Sequence, residues 1–190
     1  MNDPELIIQL QLGDASAFKR LVEDWEDMVY NTAVGIVQNT DDADDITQEV
    51  FMQAYQSVSS FKGESKLSTW LYRITVNRSL DHLKKMKRKK RFGFVFGLFE
   101  HNDEVQLQPT EFNHPGVLME KKEKAAELFK ALEKIPGKQR IAFTLNKLEG
   151  RSYPEIAEIM NTTLYAVESL MGRAKGNLKK ILKEFYEEKK

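Results

Sequence analysis

The chain has 190 residues with 29 Lys and Arg, 29 Asp and Glu, three His and no Cys, a composition that excludes collagenous and low-complexity chains and leaves room for one medium or two small soluble domains. Without Cys there is no disulfide framework, thiolate nucleophile or Cys-ligated zinc site. The zero net charge conceals blocks: residues 1–60 carry 2 basic and 12 acidic side chains, 61–91 carry 11 and 2, 92–120 carry 0 and 5, and 121–190 carry 16 and 10.

Blocks of this kind point to a polyanion as partner for the basic segments and a basic protein as partner for the acidic one, the alternative being that they pair internally. At the N-terminus, Met1 to Gly13 has neither a basic start nor a long apolar run, so no signal peptide is expected and the cytoplasm is the expected compartment. Ala17, Phe18, Leu21, Val22, Trp25, Met28, Val29, Ala33, Ile36 and Val37 then recur at three- and four-residue steps, which predicts a helix over 14–37 capped by Asp14. A second helix begins at Thr40 and Asp41. Its predicted buried side is Ala43, Ile46, Val50, Phe51, Ala54, Tyr55 and Val58, and its outward side shows Asp44, Asp45, Gln48 and Glu49.

After the break at Phe61-Lys62-Gly63-Glu64-Ser65, a third helix is predicted from Lys66 to about Arg91. Leu67, Trp70, Leu71 and Ile74 share one face, Val76, Leu80 and Leu83 another, and the helix ends in the run Lys84-Lys85-Met86-Lys87-Arg88-Lys89-Lys90-Arg91. Trp70, Tyr72, Arg73, Asn77 and Arg78 mix aromatic, amide and guanidinium groups suited to unstacked bases and phosphates, although Trp70 on an apolar face reads better as core. Residues 92–116 lack a period, lack Lys and Arg, and contain Pro109 and Pro115, so the domain boundary falls there. Phe92, Phe94, Phe96 and Phe99 read as a flap over the protein's own core or a docking element, with the flap preferred; they are too few for the ~20 residues of a membrane helix.

A helical pattern resumes over 118–134, Pro136-Gly137 interrupts it, and Ile141, Ala142, Leu145 and Leu148 mark a short amphipathic helix. The sharpest local signal follows. Ser152 and Glu155 make a capping box with Pro154 in the first turn, Ile156, Ala157, Ile159 and Met160 supply an apolar face, and Asn161 stops the helix in a left-handed conformation. Thr163 caps a second helix whose buried stripe is Val167, Met171, Ala174, Leu178 and Ile181. Its outward face holds Glu168, Ser169, Gly172, Arg173 and Gly176. The pattern is a helix-turn-helix, in which Arg173 is placed for guanine or phosphate and Glu168 for a cytosine amine. His82, His101 and His114 lack metal-ligand spacing, and no acid pair, phosphate loop or nucleophile elbow is seen. No catalytic residue, metal or cofactor is expected, and the fold class is all-α.

The motifs Asp44-Asp45-Ile46-Thr47-Gln48-Glu49-Val50-Phe51, Phe61-Lys62-Gly63-Glu64-Ser65 and Ser68-Thr69-Trp70-Leu71-Tyr72-Arg73-Ile74-Thr75-Val76-Asn77-Arg78, followed by the terminal helix-turn-helix, resemble the extracytoplasmic-function sigma factors of the sigma-70 family. The resemblance covers nearly all of the chain outside 92–117. It implies sigma region 2 over 1–91, a flexible linker over 92–117 and sigma region 4 over 118–190, in a subunit that binds core RNA polymerase and directs promoter-specific initiation, of stress or envelope-response genes, without being an enzyme. By the same resemblance Asp45, Gln48 and Glu49 would contact the polymerase. Lys62, Gly63, Ser65, Lys66, Arg73, Asn77, Arg78, Asp81, Lys84, Lys85, Lys87 and Arg88 would hold the minus-ten element, where an extruded base needs a pocket. Thr163, Glu168, Ser169, Gly172, Arg173 and Lys175 would read the minus-thirty-five element. The implied partners are core polymerase, promoter DNA and an anti-sigma factor, with no membrane insertion. Asn161 stands where Gly is common, at little cost because Asn tolerates the left-handed turn, whereas Glu168 and Leu170 stand where basic residues are common, so the groove is expected but not the base preference. Two other functions fit parts of the sequence: a stand-alone helix-turn-helix regulator and a helical adaptor that never touches DNA.

Overall fold

The computed structural model describes residues 4–95 and 122–188, without the side chains of residues 90, 92–95, 122–125, 185, 186 and 188. Among the described residues the regular structure is all helix: α1 (Pro4–Gln11), α2 (Ala15–Val37), α3 (Thr40–Ser57), α4 (Leu67–Val95), α5 (Lys122–Lys134), α6 (Gly137–Lys147), α7 (Tyr153–Ile159) and α8 (Leu164–Glu188), with a 3-10 turn at Val58–Ser60. The segment with Phe96, Phe99, Pro109, Pro115, His101 and His114 lies outside them, as do the side chains of Phe92 and Phe94.

Capping residues set the helix starts. The Asp14 carboxylate accepts from the Ser16 hydroxyl at 2.7 Å and from the Ser16 backbone N–H at 2.7 Å; the two bonds hold its pKa below the usual carboxylate range, and the backbone bond starts α2. Asn39, ahead of Thr40 and Asp41, accepts from the Asp42 N–H at 2.8 Å and caps α3. α2 stops at Gln38, in the left-handed region at φ 62°, whose N–H bonds back to the Val34 carbonyl.

Two differences from the sequence expectation stand out. α1 is a short helix whose Leu6 and Leu10 are buried in the N-terminal core, a stretch too short for its period to be read. α4 runs to Val95 rather than to about Arg91, because Lys and Arg are good helix formers and no Pro interrupts Phe92 to Val95.

α2, α3 and α4 form a three-helix core through Leu21, Val29, Ala33, Ile46, Val50, Leu67 and Leu71, closed at one end by α1 and Phe61. In the C-terminal half, α5 packs on α8 through Phe129, Leu132, Ala174 and Leu178, with Ile135 in the same core and Phe143 of α6 against it. The two halves are not separate. Ile36, Tyr72 and Val76 share a continuous core with Ile141, Leu145, Ile156, Ile159, Val167 and Met171. The second apolar face of α4, with Val76, Leu80 and Leu83, is thus covered by α6 and α7.

Candidate nucleic-acid interface

Asp45, Gln48 and Glu49 are exposed on α3, as expected of the side turned away from the core. Met52 and Tyr55 continue that stripe at helical spacing, 62% and 56% exposed. Tyr55 is therefore not on the buried side of α3. At ~100° per residue it falls at the margin of the apolar stripe, and its ring packs only edge-on against Phe18, with centroids 5.1 Å apart.

The loop before α4 turns at Gly63, whose φ of 72° a side chain would oppose, and carries exposed Lys62 and Lys66 beside half-buried Ser65. Trp70 rests on Phe61, ring centroids 5.0 Å apart, and packs on the N-terminal core, so it is core and not an open stacking platform. Asn77, Asp81, Lys84, Lys85, Lys87 and Arg88 are exposed along one continuous helix, with Asp81 paired to Lys84 at 2.9 Å.

The two arginines nearer the start of α4 are engaged. Arg78 donates through Nε to Gln53 Oε1 at 2.7 Å and lies 3.7 Å from the Glu49 carboxylate, which ties a residue of the predicted DNA face to one of the predicted polymerase face. Arg73 donates through Nε to the Glu158 carbonyl at 3.1 Å and lies 3.6 Å from the Glu158 carboxylate on α7. Tyr72, read from the sequence as suited to unstacked bases, is 3% exposed and donates its hydroxyl to Glu149 at 3.1 Å. Burial followed by the Glu149 charge drives the Tyr72 pKa up, and burial raises that of Glu149. Arg151 sits over the Tyr72 ring, 5.7 Å from its centroid.

α6 completes this junction. Arg140, 5% exposed, donates to the Ile36 carbonyl at 2.8 Å and also to the Glu133 carbonyl, and the Thr144 hydroxyl donates to the Gly35 carbonyl at 3.1 Å. Gly35 permits this approach, since a Cβ there would stand 2.7 Å from Thr144 Cγ2. Between the halves lies a cleft of about 400 Å3 lined by Trp25, Lys66, Tyr72, Arg151, Glu155 and Glu158. Arg140, Thr144 and Glu149 carry no motif, and their roles follow only from what they meet across the junction.

The helix-turn-helix has the expected local geometry. Ser152 and Glu155 form a reciprocal capping box, Asn161 adopts φ 47°, and Thr163 accepts from the Ala166 N–H at 3.2 Å. Hydrogen bonds from Ser152 lower the Glu155 pKa. Val167, Met171, Ala174 and Leu178 are buried, while Thr163, Glu168, Gly172, Arg173 and Lys175 are exposed and Ser169 is half-buried. Arg173 is folded back on its own helix, donating to the Ser169 carbonyl at 3.2 Å and to its hydroxyl at 3.0 Å.

This pairing of an acidic-faced three-helix unit with a helix-turn-helix matches known proteins over both halves. Residues 21–89 match the model of Sigma-70 region 2, and residues 125–178 match that of Sigma-70 region 4. The ECF RNA polymerase sigma-E factor of Escherichia coli K12 is 34% identical over 175 residues, 92% of this chain and 91% of the relative. The chain belongs to the extracytoplasmic-function sigma factors. The sigma-E factor of Haemophilus influenzae is 33% identical over 92% of each chain. The solved sigma factor RpoE of Bartonella quintana, in complex with the anti-sigma factor NepR, has a TM-score of 0.66 at 26% identity, covering 87% of this chain and 96% of that one. As a sigma factor the protein directs transcription initiation by RNA polymerase at promoter DNA; as a class these are initiation factors. Membership disfavours the stand-alone regulator and the adaptor. No described helix is long and apolar enough to cross a membrane.

Proposed function

We propose that this sigma factor, acting in the cytoplasm, grips core polymerase with the outward stripe of α3, holds the minus-ten strand with the 62–66 loop and α4, and reads the minus-thirty-five duplex with α8. The observation that carries the assignment is the placement of three surfaces of distinct chemistry on separate helices: acidic and apolar on α3, basic on α4, small and polar on α8. Asp45, Gln48 and Glu49 are the polymerase contacts, Lys62, Gly63, Ser65, Lys66, Arg73, Asn77, Arg78, Asp81, Lys84, Lys85, Lys87 and Arg88 the minus-ten contacts, and Thr163, Glu168, Ser169, Gly172, Arg173 and Lys175 the minus-thirty-five contacts. The domain limits 1–91 and 118–190 follow the same assignment, with residues 92–117 as the connection. The test is run-off transcription by purified core polymerase with and without the protein; identical transcripts in both would end this reading.

The packed arrangement cannot serve initiation as it stands. The centres of the two promoter elements are about 25 base pairs apart, or ~85 Å along B-form DNA. A folded chain of this length has a radius of gyration of ~16 Å and so spans only ~40 Å. The halves must part before α4 and α8 engage both elements, and parting frees Arg73 from Glu158 and opens the cleft beside Lys66. A partner that holds them together would keep the sigma factor silent; the relative solved with NepR favours an anti-sigma protein for this role.

Two consequences are measurable. Glu149→Gln keeps an acceptor for Tyr72 but removes a desolvated charge, so it should favour the packed form and lower initiation about two- to five-fold, with a matching decrease in radius of gyration by small-angle scattering. The sign of the pH effect agrees: burial on packing raises the Glu149 pKa, outweighing the Tyr72 hydrogen bond and the Arg151 charge that lower it, so its contribution to packing is full at low pH and is lost as pH rises through the raised value. Separately, alanines at Lys87, Arg88 and Lys89 should weaken binding at all promoters alike and flatten the slope of log affinity against log salt by about 2 to 3. A loss confined to one promoter class would contradict a phosphate role for the run.

A further inference from the structure

The exposed end of α8 carries a residue that the expected reading set omits. Tyr165 is 80% exposed at the second position of the helix, beside Leu164 at 46%. Among the described residues no hydrogen bond or ring contact holds Tyr165, so packing gives no reason for an aromatic side chain there. It lies one turn before Glu168 and Ser169 and two turns before Gly172 and Arg173, on the same face. Around Gly172 and Gly176 the space is open, so this face is low at its two glycines, while its leading end presents an aromatic ring.

In a helix-turn-helix the N-terminal residues of the second helix meet the base edges, and helical side chains tilt toward that end. We infer that Tyr165 is a specificity-determining residue of this sigma factor, its ring packing against the C5-methyl group of a thymine in the major groove of the minus-thirty-five duplex. The inference rests on the assignment of α8 as the reading helix. Apolar contact is the means by which a side chain distinguishes that methyl group, and Leu164 extends the apolar surface. A phosphate contact by the hydroxyl is disfavoured because the charged residue on the next turn is Glu168, which an approaching phosphate would meet as a like charge. Arg173 is held by Ser169 two turns away, leaving the entering turn without a cation. Glu168, one turn on, then faces a neighbouring pair, where a cytosine amine suits its carboxylate.

The test uses full-length protein bound to core polymerase and a pool of duplexes randomised over the upstream promoter region. Retained sequences are determined for wild type, Tyr165→Phe and Tyr165→Ala, and the wild-type winners are resynthesised with single thymines replaced by deoxyuridine, which removes only the methyl group. The expected result is one enriched thymine at which deoxyuridine lowers retention about four-fold, as for one buried methyl group. Tyr165→Phe should keep that preference and sensitivity. Tyr165→Ala should lose both while leaving the other enriched positions in place, a pattern that general unfolding would not give. Indifference of every thymine to deoxyuridine, loss of preference in Tyr165→Phe, or an unchanged preference in Tyr165→Ala would each overturn the inference. Failure of wild type to enrich any upstream sequence would instead remove the reading role of α8, and the inference with it.

Discussion

Joining Gly35 to Thr144 through a disulfide should abolish initiation until reductant is added. The sites are within reach: a Cβ on Gly35 would lie 2.7 Å from Thr144 Cγ2, and the Thr144 hydroxyl already bonds the Gly35 carbonyl. The natural chain has no Cys, so Gly35→Cys with Thr144→Cys would hold the only possible disulfide. Neither residue belongs to the proposed DNA or polymerase surfaces. Oxidised protein should direct transcription at least about tenfold less than the reduced form, because a covalent lock removes the open state that the ~85 Å span between promoter elements demands. Reduced protein should recover, with radius of gyration reporting opening. Equal transcription from both forms would show that the halves need not separate.

Placing lysines on the acidic stripe through Gln48→Lys with Glu49→Lys should abolish co-elution with core polymerase in gel filtration, an affinity loss of a hundredfold or more at low salt, on the order of 3 kcal/mol. Both side chains are exposed on α3, so the change does not reach the core. One internal effect accompanies it: the ammonium introduced by Glu49→Lys would repel Arg78, which stands 3.7 Å from the Glu49 carboxylate. Gln48→Lys alone leaves that pair intact and should show an intermediate loss. Arg78 also keeps its bond to Gln53, so helix content and thermal midpoint should change little. Co-elution at wild-type strength by the double variant would move the polymerase contact off α3.

What the sequence by itself determined is local. Ser152 and Glu155 close a capping box, Asn161 takes the left-handed turn, and the steps of three and four from Val167 to Leu178 set which side of α8 is buried, because caps, turns and helical period act within a few residues. The acidic stripe Asp45, Gln48 and Glu49 was legible for the same reason. Periodicity reports that a face is buried and not what buries it. Only the tertiary structure decided that Val76, Leu80 and Leu83 on α4 lie under α6 and α7, that Tyr72 is sealed against Glu149, and that Arg73 and Arg78 are paired rather than free. It also decided that Tyr55 joins the outward stripe, because a residue at the edge of a helical face is buried or exposed according to its neighbour's shape. These contacts join residues tens of positions apart; Arg140 meets Ile36 across 104 residues, and the close approach that permits them depends on the missing side chain of Gly35.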